Sequence, residues 1–256
     1  MNKIYSKSPI KEAICQFKFH NKKEWDWTIP GIIYQKIKRN YPVKRQLTAF
    51  GFNFPLQKED VESTEYLPLL KKPEGMRFLN EEKNRLIQIQ EKTLSIFMQH
   101  PYSSWEDFKK QIMNALAIYD KELNPEGIVR IGLRYINHFD FLPERFEVEK
   151  YFNYYPAFPN STQATMGELL VRSTIPIPNI EKQEGFMHLL LYLNKIEGQS
   201  INNILDLDMV YLQNEENLIM VKNASDYIEK AHSYIKEKFE SCITDELRSI
   251  IKQMED

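Results

Sequence analysis

The feature that most constrains this chain is the order in which two hydrophobic periods follow one another along it. Residues 11–19 set Ala13, Cys15, Phe17 and Phe19 on one side and Glu12, Gln16 and Lys18 on the other, the alternation of a half-buried strand. A helical stripe of Ile29, Ile32, Ile33 and Ile37 follows, with Thr28 as N-cap, Pro30 in the first turn and a stop at Asn40-Tyr41-Pro42. Leu47 to Phe54 reads as a strand. Residues 55–75 hold Pro55, Pro68, Pro73 and Gly75 and read as a loop with at most one short edge strand. Arg85–Gln90 and Thr93–Met98 both alternate, forming a hairpin about Glu91-Lys92. Ser103 or Ser104 then caps a helix with Glu106 and Asp107 in its first turn. Phe108, Ile112, Ala115, Leu116 and Tyr119 form its buried face, and Asn124-Pro125 ends it.

The same order returns in the second half. Gly127–Phe141 is a long strand, 146–152 a short helix, and 168–175, 185–196 and 201–212 are three further strands. Helical sequence runs from about Ser225 to Met254, broken at Thr244-Asp245. The expectation is an α+β fold: one domain over residues 1–256, in which pseudo-repeat halves 1–125 and 126–256, each strand–helix–strands–helix, join their strands into a large curved antiparallel sheet with helices on one face. Helix-grip and TATA-binding-protein-like folds are analogous architectures. The duplication rests on element order, since the halves share no residue-by-residue similarity.

Composition narrows the function classes. Eight glycines, with no G-x-G-x-x-G and no P-loop, leave little for a phosphate cradle. Cys15 and Cys242 lie far apart, in a strand and a helix pattern, and read as small buried hydrophobes rather than a disulfide framework. Residues 1–10 lack the apolar core of a signal peptide, and no run reaches the ~18 apolar residues of a membrane span, so the expected location is the cytoplasm, away from any membrane. Charge is unevenly spread. Residues 1–58 carry twelve Lys/Arg against three acidic residues, a net of +9, while the remainder has a net of −11. Such a split marks either a polyanion surface or two surfaces that neutralise each other within the fold or between copies.

At Gly132-Leu-Arg-Tyr-Ile-Asn137, and at His232-Ser-Tyr-Ile-Lys-Glu-Lys-Phe239 with Ile243-Thr-Asp245, the chain resembles a sporadically distributed, functionally uncharacterised family of prokaryotic proteins of similar length. Pro9–Ala13, Leu86–Gln90, the Tyr102/Trp105/Phe108 helix entry and Leu205–Asp208 carry the resemblance along the whole chain. It implies no activity; the patchy distribution implies a mobile or defence-associated locus.

Three sets of residues carry functional readings. The first is a polar sheet face: Arg130, Arg134 and His138 fall on one side of their strand, Asp206 and Asp208 on one side of another, His188, Tyr192 and Asn194 on a third, and Gln88 and Gln90 on a fourth. Together they form a ligand or partner surface, or a cross-strand ion-pair network on a solvated face. The second is a basic stretch, Lys22, Lys23, Lys36, Lys38, Arg39, Lys44 and Arg45, interleaved with Trp25, Trp27, Tyr34 and Tyr41. It suits nucleic acid, although the aromatics equally serve to pack a helix on the sheet. The third is Asp206 with Asp208, which would hold a hydrolytic Mg²⁺ or Mn²⁺ if Glu168 joined them, or else pair with Arg130 and Arg134. His20, His100, His138, His188 and His232 make no zinc spacing, and His232 reads as a packed helical residue. The leading expectation is a non-catalytic binding protein with a protein partner or a second copy of itself, without cofactor or resident metal. Nucleic-acid binding and metal-dependent hydrolysis stand as alternatives.

Overall fold

In a computed structural model, which describes residues 8–21, 24–51, 70–140, 147–157, 168–177, 184–194 and 203–252, the alternating segments become nine strands of one open antiparallel sheet. These are β1 (Ile10–His20), β2 (Val43–Gly51), β3 (Leu70–Leu79), β4 (Arg85–Gln90), β5 (Thr93–Gln99), β6 (Gly127–His138), β7 (Glu168–Ile177), β8 (Glu184–Asn194) and β9 (Ile204–Leu212). Their order is β2-β3-β4-β5-β1-β6-β9-β8-β7. The central pair is thus β1 with β6, each the first strand of its half of the chain. A short two-residue connection, Glu91-Lys92, makes the β4–β5 hairpin, with Lys92 in the left-handed region at φ 56°.

Among the described residues five α-helices accompany the sheet: α1 (Ile29–Ile37), α2 (Trp105–Leu123), the single turn α3 (Val148–Tyr151), α4 (Ala224–Cys242) and α5 (Asp245–Lys252). The start of α2 follows from its sequence. Ser104 is extended and its side chain accepts from the Asp107 N–H at 3.1 Å, and Asn124 closes the helix at φ 46°. Thr244 breaks α4 from α5 and accepts from the Leu247 N–H at 3.3 Å. Phe108, Ile112 and Tyr119 of α2, and Ile228, Ala231 and Ile235 of α4, enter one core with Ala13, Cys15 and Phe17 of β1, Leu133 of β6 and Leu207 of β9. Each large side chain so buried contributes roughly 1.5–3 kcal/mol.

Three expectations need correction. The Pro/Gly-rich stretch ends in a full strand, β3, paired on both sides. Gly75 permits this, because a Cβ there would lie 2.3 Å from the Ile89 carbonyl oxygen, and Pro73 sits beside the register shift between Leu47 and Thr48. Thr28 makes no side-chain cap; its N–H instead donates to Asp26 Oδ1 at 2.8 Å. Ile32 is exposed, so Pro30, Ile33 and Ile37 form the buried face of α1. Lys22, Lys23, residues 52–69, Phe141 and Met254 lie outside the described residues.

Candidate functional site

The period of two that buries one face of the sheet must present the alternate residues on the other. On β1 these are Glu12, Ile14, Gln16 and Lys18. Register then sets polar side chains in line across several strands. Arg77, Gln88, Ser95, Gln16 and Gly132 occupy one rung from β3 to β6. Arg77 Nε donates to Gln88 Oε1 at 2.7 Å, and Gln88 donates to Gln90. Gln16 Nε2 donates to Ser95 Oγ at 3.1 Å and accepts at Oε1 from Arg130 Nη1 at 2.7 Å. Gly132 is what lets Arg130 lie across the rung: a Cβ there would stand 2.8 Å from its Nη1.

The next rung carries Ile14, Arg134, Asp208, His188 and Thr174. Arg134 grips Asp206 in a fork, Nε to Oδ1 at 2.9 Å and Nη2 to Oδ2 at 2.5 Å. The pair is half in water, with Arg134 42% and Asp206 12% exposed, so its contribution is about 1 kcal/mol at most. His188 Nδ1 lies 3.0 Å from Thr174 Oγ1.

Asp208 differs from its neighbours. It is partly buried and stands among Arg130, Arg134, Asp206 and His188, yet accepts no hydrogen bond among the described residues. Burial raises its pKa above the ordinary aspartate value, and the two guanidinium groups only partly offset that. Its ionised form is therefore disfavoured by folding. Whatever stability Asp208 contributes is present below its unfolded pKa of about 3.9 and is lost as pH rises through its higher folded value. Asp208→Asn keeps the shape and removes that cost. It should raise the melting temperature at neutral pH, with the gain shrinking to nothing in acid; an Asn variant that melts lower at neutral pH would contradict this reading.

Of the residues expected on this face, the fold brings Arg130, Arg134, His188, Asp206 and Asp208 together. His138 shares the face but stands at the end of β6, with Nδ1 3.9 Å from Asp140. Tyr192 is opposite Leu170 and Ile204, toward the far end of β8. The ion pairs expected for both arginines form only at Arg134, because Gln16 takes Arg130. Glu168 lies opposite Asn194, away from both aspartates, and among the described residues no group of three or more His, Cys, Asp or Glu side chains is placed to share a cation. In the basic stretch, Lys36, Lys38, Arg39, Lys44 and Arg45 are exposed. Lys36 meets Glu122 at 3.4 Å, Lys38 donates to Gln35 at 2.8 Å, and Lys44 caps the Tyr34 ring at 4.7 Å. Trp25 packs on the core while Trp27 is half exposed. Both cysteines are buried, and burial pushes their thiols up, Cys242 to about 11.

Sequence reasoning did not place Gln16, Ser95 and Arg77 in this network. Gln16 was legible as outward-facing, but its partners depend on register between strands far apart in sequence; Arg77 lay next to a stretch read as a loop. No protein-family model matches this chain, and no curated protein matches it. Among the described residues no helix is long and apolar enough to cross a membrane.

Proposed function

We propose that this chain is a non-catalytic binding protein whose polar sheet face, centred on Asp208, docks a protein partner. The supporting observation is the partly buried Asp208 carboxylate, to which the described residues supply charges but no hydrogen-bond donor. Such a group is a cost to the isolated chain, and a docking side chain that donates to it relieves that cost. Glu12, Asp206 and Asp208 slightly outweigh Arg130 and Arg134 around this point, which favours a cationic or amide-bearing partner side chain. The surrounding fork and ladder fix the geometry before docking. Two related halves meeting at β1 and β6 would put the site near the middle of the sheet, as in the helix-grip and TATA-binding-protein-like architectures. Nucleic-acid binding through α1 and β2 has weaker support, because Lys36, Lys38 and Lys44 already have partners.

The test is co-expression with the product of the neighbouring gene, followed by calorimetric titration of the purified pair. Asp208→Arg should weaken Kd by about thirtyfold or more, and Glu12→Arg by about tenfold. Affinity should also fall with acid as Asp208 protonates, beginning above the ordinary aspartate range. A chain that co-purifies with no partner, or a Kd untouched by both variants, would count against the proposal.

A further inference from the structure

On the opposite, helix-covered side of the sheet lies a cavity of about 420 Å³, where the start of α2 approaches α4 over β6 and β9. That volume falls within the range of small-molecule sites. Tyr102 and Trp105 from the entry of α2, Tyr135 and Asn137 from β6, and His232 and Phe239 from α4 line it. Five of the sixteen lining residues carry aromatic rings. The His232 ring stacks on Trp105 with centroids 4.1 Å apart and planes 5° apart, and Tyr102 meets Tyr135 edge-on at 5.8 Å.

Between the rings the lining carries neutral polar groups, with Glu106, Lys236 and Glu240 as its charged members. Tyr102 and Tyr135 hydroxyls are 3.4 Å apart, and the Tyr135 hydroxyl is 3.1 Å from His232 Nδ1. With Tyr135 as donor, His232 carries its proton on Nε2, which has no hydrogen-bond partner among the described residues. Desolvation lowers the His232 pKa to about 4, so the ring is neutral near pH 7. Asn137, only 2% exposed, gives its Nδ2 to the Leu205 carbonyl at 3.0 Å. Its Oδ1 has no hydrogen-bond partner among the described residues, on a side chain that lines the cavity. Among the lining residues Glu240 already pairs with Arg248 at 3.0 Å, which leaves Lys236 and Glu106 as one charge of each sign.

We propose that this cavity binds a small, uncharged planar molecule that carries an amide or lactam edge. The rings of the wall receive its faces, Asn137 Oδ1 accepts from its N–H, and His232 Nε2 donates to its carbonyl. An anion or cation of the same size is disfavoured by the cost of stripping its water in a site whose lining charges already balance. The site is separate from the Asp208 face, with the sheet between them.

The probe is quinazolinone, an uncharged bicyclic lactam, against naphthoate, an anion of similar size, each titrated into the full chain while the Trp105 indole N–H resonance is followed. Quinazolinone should bind with sub-millimolar Kd and shift that resonance, and naphthoate should bind at least about tenfold more weakly. His232→Phe keeps the stack on Trp105 and removes the donor, so affinity should drop about tenfold. Ile10→Trp, at the cavity wall, should abolish binding while the chain still melts cooperatively. No quinazolinone binding at millimolar concentration, naphthoate binding as tightly, or affinity unchanged in the folded variants would each overturn the proposal.

Discussion

Trp105→Ala should cost about 3–5 kcal/mol, the largest loss expected from any single change considered, measured by chemical denaturation at neutral pH. Trp105 is 8% exposed at the first turn of α2, and it ties that helix to α4 in two ways. Its ring stacks on His232 and its Nε1 lies 3.2 Å from both carboxylate oxygens of Glu229, while within α2 it meets Phe108 edge-on with centroids 6.4 Å apart. Glu229 also takes Lys109 of α2 at 2.7 Å, a second link between the helices. Truncation removes the ring, leaves a void between helices from the two halves of the chain, and deprives Glu229 of one donor. Trp105→Phe restores most of the contact area and should recover more than half of the loss. If alanine costs less than about 1 kcal/mol, the two helices are not joined here.

The second large effect is pH-dependent. His232 is held to about pKa 4, first by desolvation, and its nearest charges work both ways: Glu229 and Glu106 raise it, Lys236 and Lys109 lower it. A base whose folded pKa is depressed contributes stability that is complete above its unfolded value of about 6.5 and is lost as pH falls toward the folded value. Between roughly pH 6.5 and pH 4 the chain should therefore lose on the order of 3 kcal/mol through this residue. His232→Phe should flatten that part of the stability profile. A wild-type profile with no decline across this window would mean that the imidazole is free to protonate in place.

How much of this was open to sequence reasoning depends on the range of the interaction. Alternation in residues 11–19 and the Ser104 cap of α2 are local, and both read through to the fold. The strand at 70–79 was hidden because Pro73 and Gly75 speak against a strand locally, while pairing with β2 and β4 on either side overrides them. Faces were legible within a strand; neighbours across strands were not. Asp206 and Asp208 were correctly set side by side, but their partners came from register. Two positions along β9 separate a carboxylate in an arginine fork from one with no donor among the described residues. Gln16 changed the outcome for Arg130, and nothing near either residue in sequence announces the other. The cavity was further from reach, since its walls come from α2, β6 and α4, each unremarkable alone.

The most direct measurement of the central claim is site-specific photo-crosslinking in cells. A benzophenone side chain placed at Lys18 or Thr174, on either flank of Asp208 and both exposed on the polar face, is compared with one at exposed Ser233 on α4. Docking on the polar face predicts one discrete adduct with the neighbouring gene's product from positions 18 and 174, lost when Asp208→Arg is added, and none from position 233. The same adduct from position 233, or none from 18 and 174, would contradict it.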